Sequence, residues 1–157
     1  CLCLTISQCT ARSRSAAEAW FAVVRAYNLC DAAMSARLSE LSLRVTEHEV
    51  LANLALMPGM TQQELATRCF VAKSGISMLL TRLEERELLR READGRDQRA
   101  KRLYLTSTGE ALAKQAMAIQ DDIVSAMMAP LTLQEMKAMS EHSARVSEVL
   151  ETLALKS

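Results

Sequence analysis

Apolar residues recur at helical spacing from about Ser15 to Leu41, where Trp20, Val23, Val24, Tyr27, Cys30, Met34, Leu38 and Leu41 form one stripe. A helix of this length is expected to pack against more than its own small domain. Ser/Thr-x-x-Glu capping boxes follow at Thr46–Glu49, Thr61–Glu64, Ser107–Glu110 and Thr132–Glu135. Each can satisfy two orphan amides where a helix begins. The pattern predicts helices over about 47–57, ending at Pro58-Gly59, and over 62–68. After a short connection from Cys69 to Ala72, a helix over 73–87 turns Ile76, Leu79, Leu80 and Leu83 inward. Leu88–Glu92 and Lys101–Thr106 read as short strands joined by a charged loop, with Asp94-Gly95 at a turn position. Helices over about 108–129 and 133–154, separated by Pro130, complete the chain.

The order helix, tight turn, helix, basic hairpin is that of a winged helix-turn-helix. The expected fold is mainly α with a small β wing, flanked by long N- and C-terminal helices. A helix fits the major groove of B-DNA, and residues near its N-terminus reach base edges. Lys73, Ser74, Gly75 and Ser77 stand at that end of the 73–87 helix. They offer a cation, two hydroxyls and a position where the backbone can approach closely. Arg82, two turns on, suits a phosphate, while Arg96, Arg99, Lys101 and Arg102 give the hairpin a basic tip and stem. Such a loop can enter the adjacent minor groove.

Charge sharpens this picture. The chain of 157 residues carries no formal net charge, but residues 61–106 hold ten basic and seven acidic side chains, and residues 107–157 four basic and seven acidic. The excess positive charge coincides with the helix-turn-helix and hairpin. Hydrophobic residues make up 50% of the chain and aromatic residues 3%, with 4 Gly and 2 Pro, a composition that favours helices around a packed core. Cys1, Cys3, Cys9, Cys30 and Cys69 form neither CxxC pairs nor a Cys/His cluster, so reduced cytoplasmic thiols are expected, not a disulfide framework. No apolar run reaches the ~18 residues of a membrane span, and Cys1–Ile6 is too short for a signal core. A chain starting with Cys1 instead of Met is expected to be preceded by further residues.

Residues from about Leu43 to Gly109 resemble the MarR family of bacterial regulators. Val50-Leu-Ala-Asn-Leu54, Pro58-Gly59 and Met60-Thr-Gln-Gln-Glu-Leu-Ala66 match that family's second and third helices. Val71-Ala-Lys-Ser-Gly-Ile-Ser77 through Arg82-Leu-Glu84 matches its recognition helix, and Asp94-Gly-Arg-Asp-Gln-Arg99 with Leu105-Thr106-x-x-Gly109 its wing and next helix. The resemblance implies a single domain over 1–157, with 43–106 as the DNA-binding part and 1–42 and 107–157 as interlocking dimerisation helices. It implies a homodimeric repressor on a pseudo-palindromic operator in double-stranded DNA, with Arg99 at the wing tip and Asp97 orienting the wing. Two positions depart from the pattern: Glu87 stands where a glycine usually follows the recognition helix, and Ala72 where Ser or Asp often caps it.

The family also suggests what could release such a repressor: small aromatic or phenolic anions, oxidants, or zinc. A small effector would enter the crevice between the first, second and fifth helices, where Met34, Leu38, His48 and Leu51 are the candidate lining. The two histidines, His48 and His142, lie in separate helices without a paired spacing, so no metal or other cofactor is expected. The thiol-sensing branch carries its reactive Cys near the position of Trp20, which leaves Cys30, Cys69 and the bunched Cys1, Cys3 and Cys9 as the basis of a redox alternative. Enzyme motifs such as GxSxG, a Walker loop, GxGxxG or HExxH are missing. A helical protein–protein module is the remaining rival, and the Arg96–Arg102 hairpin is what it does not need.

Overall fold

The computed structural model describes residues 11–69, 73–93 and 101–154. Six helices and three short strands run in the order α1 (Ala11–Ser39), α2 (Val45–Leu56), β1 (Met60–Thr61), α3 (Gln62–Arg68), α4 (Lys73–Glu85), β2 (Leu89–Ala93), β3 (Lys101–Leu105), α5 (Ser107–Met128) and α6 (Leu133–Ala154). The first helix begins about four residues earlier than its apolar stripe suggests, because Ala11–Ala17 continues the helix without adding buried positions. The 73–87 helix ends two residues earlier than expected, at Glu85. Two compact units divide at Gln120/Asp121, within α5.

The expected hairpin is part of a three-stranded antiparallel sheet in the order β1-β3-β2. Leu89 faces Leu105 and Ala93 faces Lys101, while β1 adds Met60 opposite Leu103 and Thr61 opposite Arg102. No alternation can be seen in a strand of two residues, and β1 exists only through its pairing with β3. Gly59 leads into it with φ of 83°, a left-handed conformation that glycine adopts without a Cβ penalty. Its N–H donates to the Leu103 carbonyl at 2.9 Å, and its carbonyl accepts from Arg102 Nη1 at 2.9 Å.

The core of the first unit is aliphatic. Leu38, Val50, Leu51, Leu54, Leu65, Ile76, Leu80, Leu83 and Leu103 have their side chains fully buried, and at about 1.5–3 kcal/mol for each such side chain they hold α2, α3 and α4 against the sheet. In α1 only Met34 and Leu38 are buried, both near its C-terminal end. Ala113 and Ala116 bury the first half of α5.

Local signals fixed the helix ends, not always at the expected residue. Thr61 and Thr132 each accept from the N–H of the Glu three residues on, and each glutamate accepts from the threonine's N–H and hydroxyl. The Thr46–Glu49 box is replaced: α2 starts two residues earlier, and Glu47 accepts from the Arg44 N–H at 2.9 Å. The Ser107–Glu110 box is replaced by Thr106, whose hydroxyl accepts from Gly109 N–H at 3.0 Å and donates to the Glu87 carbonyl at 2.6 Å.

Glu87 does what a glycine would do. Its φ is 55°, its N–H donates to the Glu84 carbonyl, and Leu88 N–H reaches back to Leu83. This is a Schellman ending with the left-handed position filled by glutamate. Ser42, with φ of 53°, ends α1 in the same way, Leu43 N–H reaching Leu38.

Candidate nucleic-acid interface

α4 is held from behind and open in front. Ile76, Leu79, Leu80 and Leu83 are buried, whereas Ser77, Met78 and Thr81 are exposed and Gly75 is half-buried. Of the predicted DNA-contacting residues, Lys73 and Ser74 open α4, as expected from the sequence, with side chains outside the described residues. Ser77 lies on the outer face one turn further along. Thr81 continues that face, with its hydroxyl donating to the Ser77 carbonyl at 3.1 Å. Neither Met78 nor Thr81 was singled out by sequence reasoning, though both follow from the helical period once the inward leucines are fixed.

Arg82 is where α4 departs from the simplest expectation. Its guanidinium keeps 39% exposure but lies 4.0 Å from the Glu47 carboxylate, and Arg86 lies 3.4 Å from the same group. Glu47 itself is buried in α2. The signal for it was available: Glu47 precedes Val50 by three residues and Leu51 by four, which puts an acid on the apolar face of its helix.

The sheet carries further cations. Lys101 is exposed at the start of β3, Arg102 is tied to the Gly59 carbonyl, and Arg91 pairs with Glu84 at 3.1 Å. Arg90 pairs with Glu92 and lies over the Tyr104 ring, 5.2 Å from its centroid, a cation–π contact that stiffens the stem. Arg96, Arg99 and Asp97 at the hairpin tip, together with Ala72, fall outside the described residues.

The four candidate effector-lining residues are buried together where α1 meets α2: Met34 and Leu38 from α1, His48 and Leu51 from α2. His48 Nε2 is 2.6 Å from Gln120 Oε1. An amide oxygen only accepts, so Nε2 carries the proton. Nδ1 is left as a buried acceptor with no hydrogen-bond partner among the described residues. Next to it in sequence, burial raises the Glu49 carboxyl above its ordinary range; the charge that His48 carries only when protonated would oppose this, and Asp31 adds to it.

Cys69 caps the end of α3, buried, with Asn53 Nδ2 3.7 Å from its sulfur. Burial pushes its thiol pKa up, the Glu49 charge pushes the same way, and Arg68 opposes them. Such a thiol is a poor nucleophile. Cys30 is half-buried, and Cys1, Cys3 and Cys9 lie outside the described residues. No group of three or more His, Cys, Asp or Glu among the described residues could hold a metal ion. No described helix is long and apolar enough to cross a membrane.

A helix-turn-helix backed by a three-stranded wing sheet defines a winged-helix regulator. Comparison with known proteins agrees. A model of the MarR family matches residues 41–100, and over this central part the chain is similar to regulators of that family. It is 30% identical over 89 residues to the transcriptional regulator HosA of Escherichia coli, a match covering 57% of this chain and 66% of HosA, just under two thirds of that relative's length. A MarR-family protein of Mycobacterium tuberculosis, solved in complex with p-aminosalicylic acid, is 26% identical with a TM-score of 0.64 over 81% of this chain and 96% of that one. A mutant of E. coli MarR, solved with operator DNA, superposes with a TM-score of 0.72 at 21% identity, over 79% of this chain and 89% of that one.

Proposed function

We propose that this protein is a cytoplasmic, homodimeric repressor that binds a pseudo-palindromic operator and is released by a small phenolic or aromatic acid. The observation that carries the DNA-binding part is α4: four buried aliphatic side chains hold it, and its other face, with Ser77 and Thr81, is open beside a basic hairpin stem. The fold likeness to a MarR crystallised on operator DNA supports the same reading. In this arrangement Lys73, Ser74 and Ser77 meet base edges or flanking phosphates, and Gly75 lets the backbone approach. Arg82 reaches the DNA backbone, while Arg96, Arg99 and Lys101 follow the wing into the adjacent minor groove.

Dimer formation is supported by the apolar residues left in solvent on α1 and α6, among them Trp20, Phe21, Tyr27, Val149 and Leu150. In this reading 43–106 is the DNA-binding part of one 1–157 domain, and the flanking helices are its dimerisation arms. For the effector, His48 Nδ1 is buried without a hydrogen-bond partner among the described residues, and in the neutral, Nε2-protonated ring it is an acceptor for which a phenol O–H is a donor of the right kind. The M. tuberculosis relative binds p-aminosalicylic acid, which carries both a phenol and a carboxylate. Thiol sensing finds less support, because burial and the Glu49 charge raise the Cys69 thiol pKa and so disfavour its thiolate.

The test is fluorescence anisotropy with DNA fragments from upstream of the protein's own gene, at several salt concentrations. Operator binding should exceed scrambled-DNA binding and weaken steeply with salt. Arg99→Ala should cost about 1–3 kcal/mol per wing contact, whereas Ser77→Ala should alter sequence preference more than salt dependence. Equal affinity for all fragments would reject the repressor reading.

A further inference from the structure

Glu47 is an acid in an expensive place. Its side chain is 4% exposed, and a buried carboxylate persists only when its charge and lone pairs are answered. One answer is local: Oε2 accepts from the Arg44 N–H that opens α2. The other comes from α4, where Arg82 lies 4.0 Å from Oε1 and Arg86 3.4 Å from Oε2. Arg86 follows Arg82 by four residues, its N–H donating to the Arg82 carbonyl at 3.2 Å, so both guanidiniums leave one face at the C-terminal end of the helix. Their side chains remain 39% and 33% exposed. A dry carboxylate thus holds two half-wet cations belonging to the helix that meets DNA.

We infer that Glu47 is a positioning and specificity-determining residue for DNA recognition: it fixes Arg82 and Arg86 against α2 and limits the charge they give to the DNA backbone. The inference rests on the DNA-binding reading above. A guanidinium shared with a carboxylate neutralises a phosphate only in part, so it releases fewer counterions and adds less to sequence-independent affinity. Because it is held in one direction, it engages a phosphate only where the docked helix presents it, and phosphate contacts made in that way set register. Without the carboxylate charge, both side chains could swing to whatever phosphate lies near. Binding to any DNA would then tighten and discrimination would fall.

The decisive variant is Glu47→Gln, which keeps the volume and an oxygen for the Arg44 N–H. Affinity should be measured on the operator fragment and on a scrambled duplex across a salt series, with thermal melting to confirm folding. Scrambled-DNA affinity should rise roughly 3–10-fold. The slope of log K against log salt should steepen by about 0.9 for each phosphate gained, and the operator-to-scrambled ratio should shrink. In an Arg86→Gln background the same substitution should give a smaller gain, since one of the released cations is gone. Glu47→Asp keeps the charge but withdraws it by one methylene. It should give a weaker effect in the same direction, and is the variant to read where Glu47→Gln does not fold. Equal weakening on both duplexes, or unchanged affinity and slope, overturns the inference and makes Glu47 a purely structural anchor. A parent protein that binds no fragment selectively removes the DNA-binding reading itself, and this inference with it.

Discussion

Residues 43–106 and α6 are both amphipathic, yet they bury very different shares of their apolar side chains. In the winged part the inward leucines of α2, α3 and α4 are at most a few per cent exposed. In α6 no residue is buried, although Val146, Val149, Leu150 and Leu153 fall at the i, i+3, i+4, i+7 spacing of a packing face. The first five turns of α1, with Trp20, Phe21, Val23 and Tyr27 exposed, resemble α6 in this respect. The same periodicity therefore serves two purposes. One set of stripes closes a core within the chain, and the other has the composition of an interface that a second copy can cover.

Breaking the second set should have the largest effect. Leu150→Glu places a charge in the middle of the α6 stripe, and in a two-fold dimer the change occurs twice. Truncating or charging a central interface anchor costs at least about 2 kcal/mol, so the dimer constant should weaken roughly 30-fold or more. Sedimentation velocity at micromolar concentration should show the parent as a dimer and the variant shifted toward monomer. A stably folded parental monomer would break the comparison, because α6 would then be exposed by design.

Gly109→Ala tests the opposite region, where no slack exists. A Cβ at Gly109 would lie 1.9 Å from the Leu88 carbonyl oxygen, which already accepts from Thr106 N–H at 3.1 Å. The start of α5 must therefore move off the start of β2. Overpacking of this kind costs about 1–3 kcal/mol, to be read from urea unfolding. A loss below about 0.5 kcal/mol would mean that this junction yields more readily than its geometry indicates.

Glu87→Gly should act in the other direction. Glutamate pays for its left-handed φ at this position, and glycine does not. The gain should be about 0.5–1 kcal/mol, reduced by the greater freedom glycine has in the unfolded chain. Thermal melting should show a small rise, and a decrease would mean that the Glu87 side chain contributes contacts that offset its backbone strain.

What was legible in the sequence follows the range of the interactions involved. The inward stripe of α4, the Thr61 and Thr132 caps, and the two wing strands rest on residues within one or two turns of one another, and sequence reasoning found them. β1 was missed because two residues carry no period, and only the distant Leu103 and Arg102 make them a strand. The α2 cap was assigned to Thr46 because hydroxyls are the usual caps, whereas the actual start is fixed by Glu47, an acid also engaged across the core by Arg82 and Arg86. Arg82 was read as a phosphate contact from its place on the helix, and its link to Glu47 depends on how α2 and α4 cross. The Nδ1 of His48, without a partner among the described residues, was equally hidden, because the Gln120 that engages the other ring nitrogen lies 72 residues away.

The smallest expected effect compares the two caps that were read correctly, one in each region. Hydrogen bonds from the Thr61 N–H and hydroxyl hold the Glu64 pKa below the ordinary carboxylate range, and those from Thr132 do the same for Glu135. A carboxyl whose folded pKa is depressed stabilises the fold above its unfolded pKa, and that contribution is lost as pH falls through the folded value. Glu49 has the opposite sign: its raised pKa favours the fold at low pH, and the contribution is lost as pH rises through the folded value. The Thr61 and Thr132 amides report the two caps directly, by hydrogen exchange from neutral pH down through the carboxylate range, after correction for the intrinsic pH dependence of exchange. Behind Thr61, α3 is anchored by buried Leu65 and Ala66, so loss of its cap should loosen only the first turn. Behind Thr132, α6 has no buried side chain of its own. If a second copy covers α6, the Thr132 amide should stay as protected as Thr61 in the parent and lose protection on acidification only in Leu150→Glu. Early loss at Thr132 in the parent as well would show that α6 is uncovered in solution, and would remove the main support for the dimer.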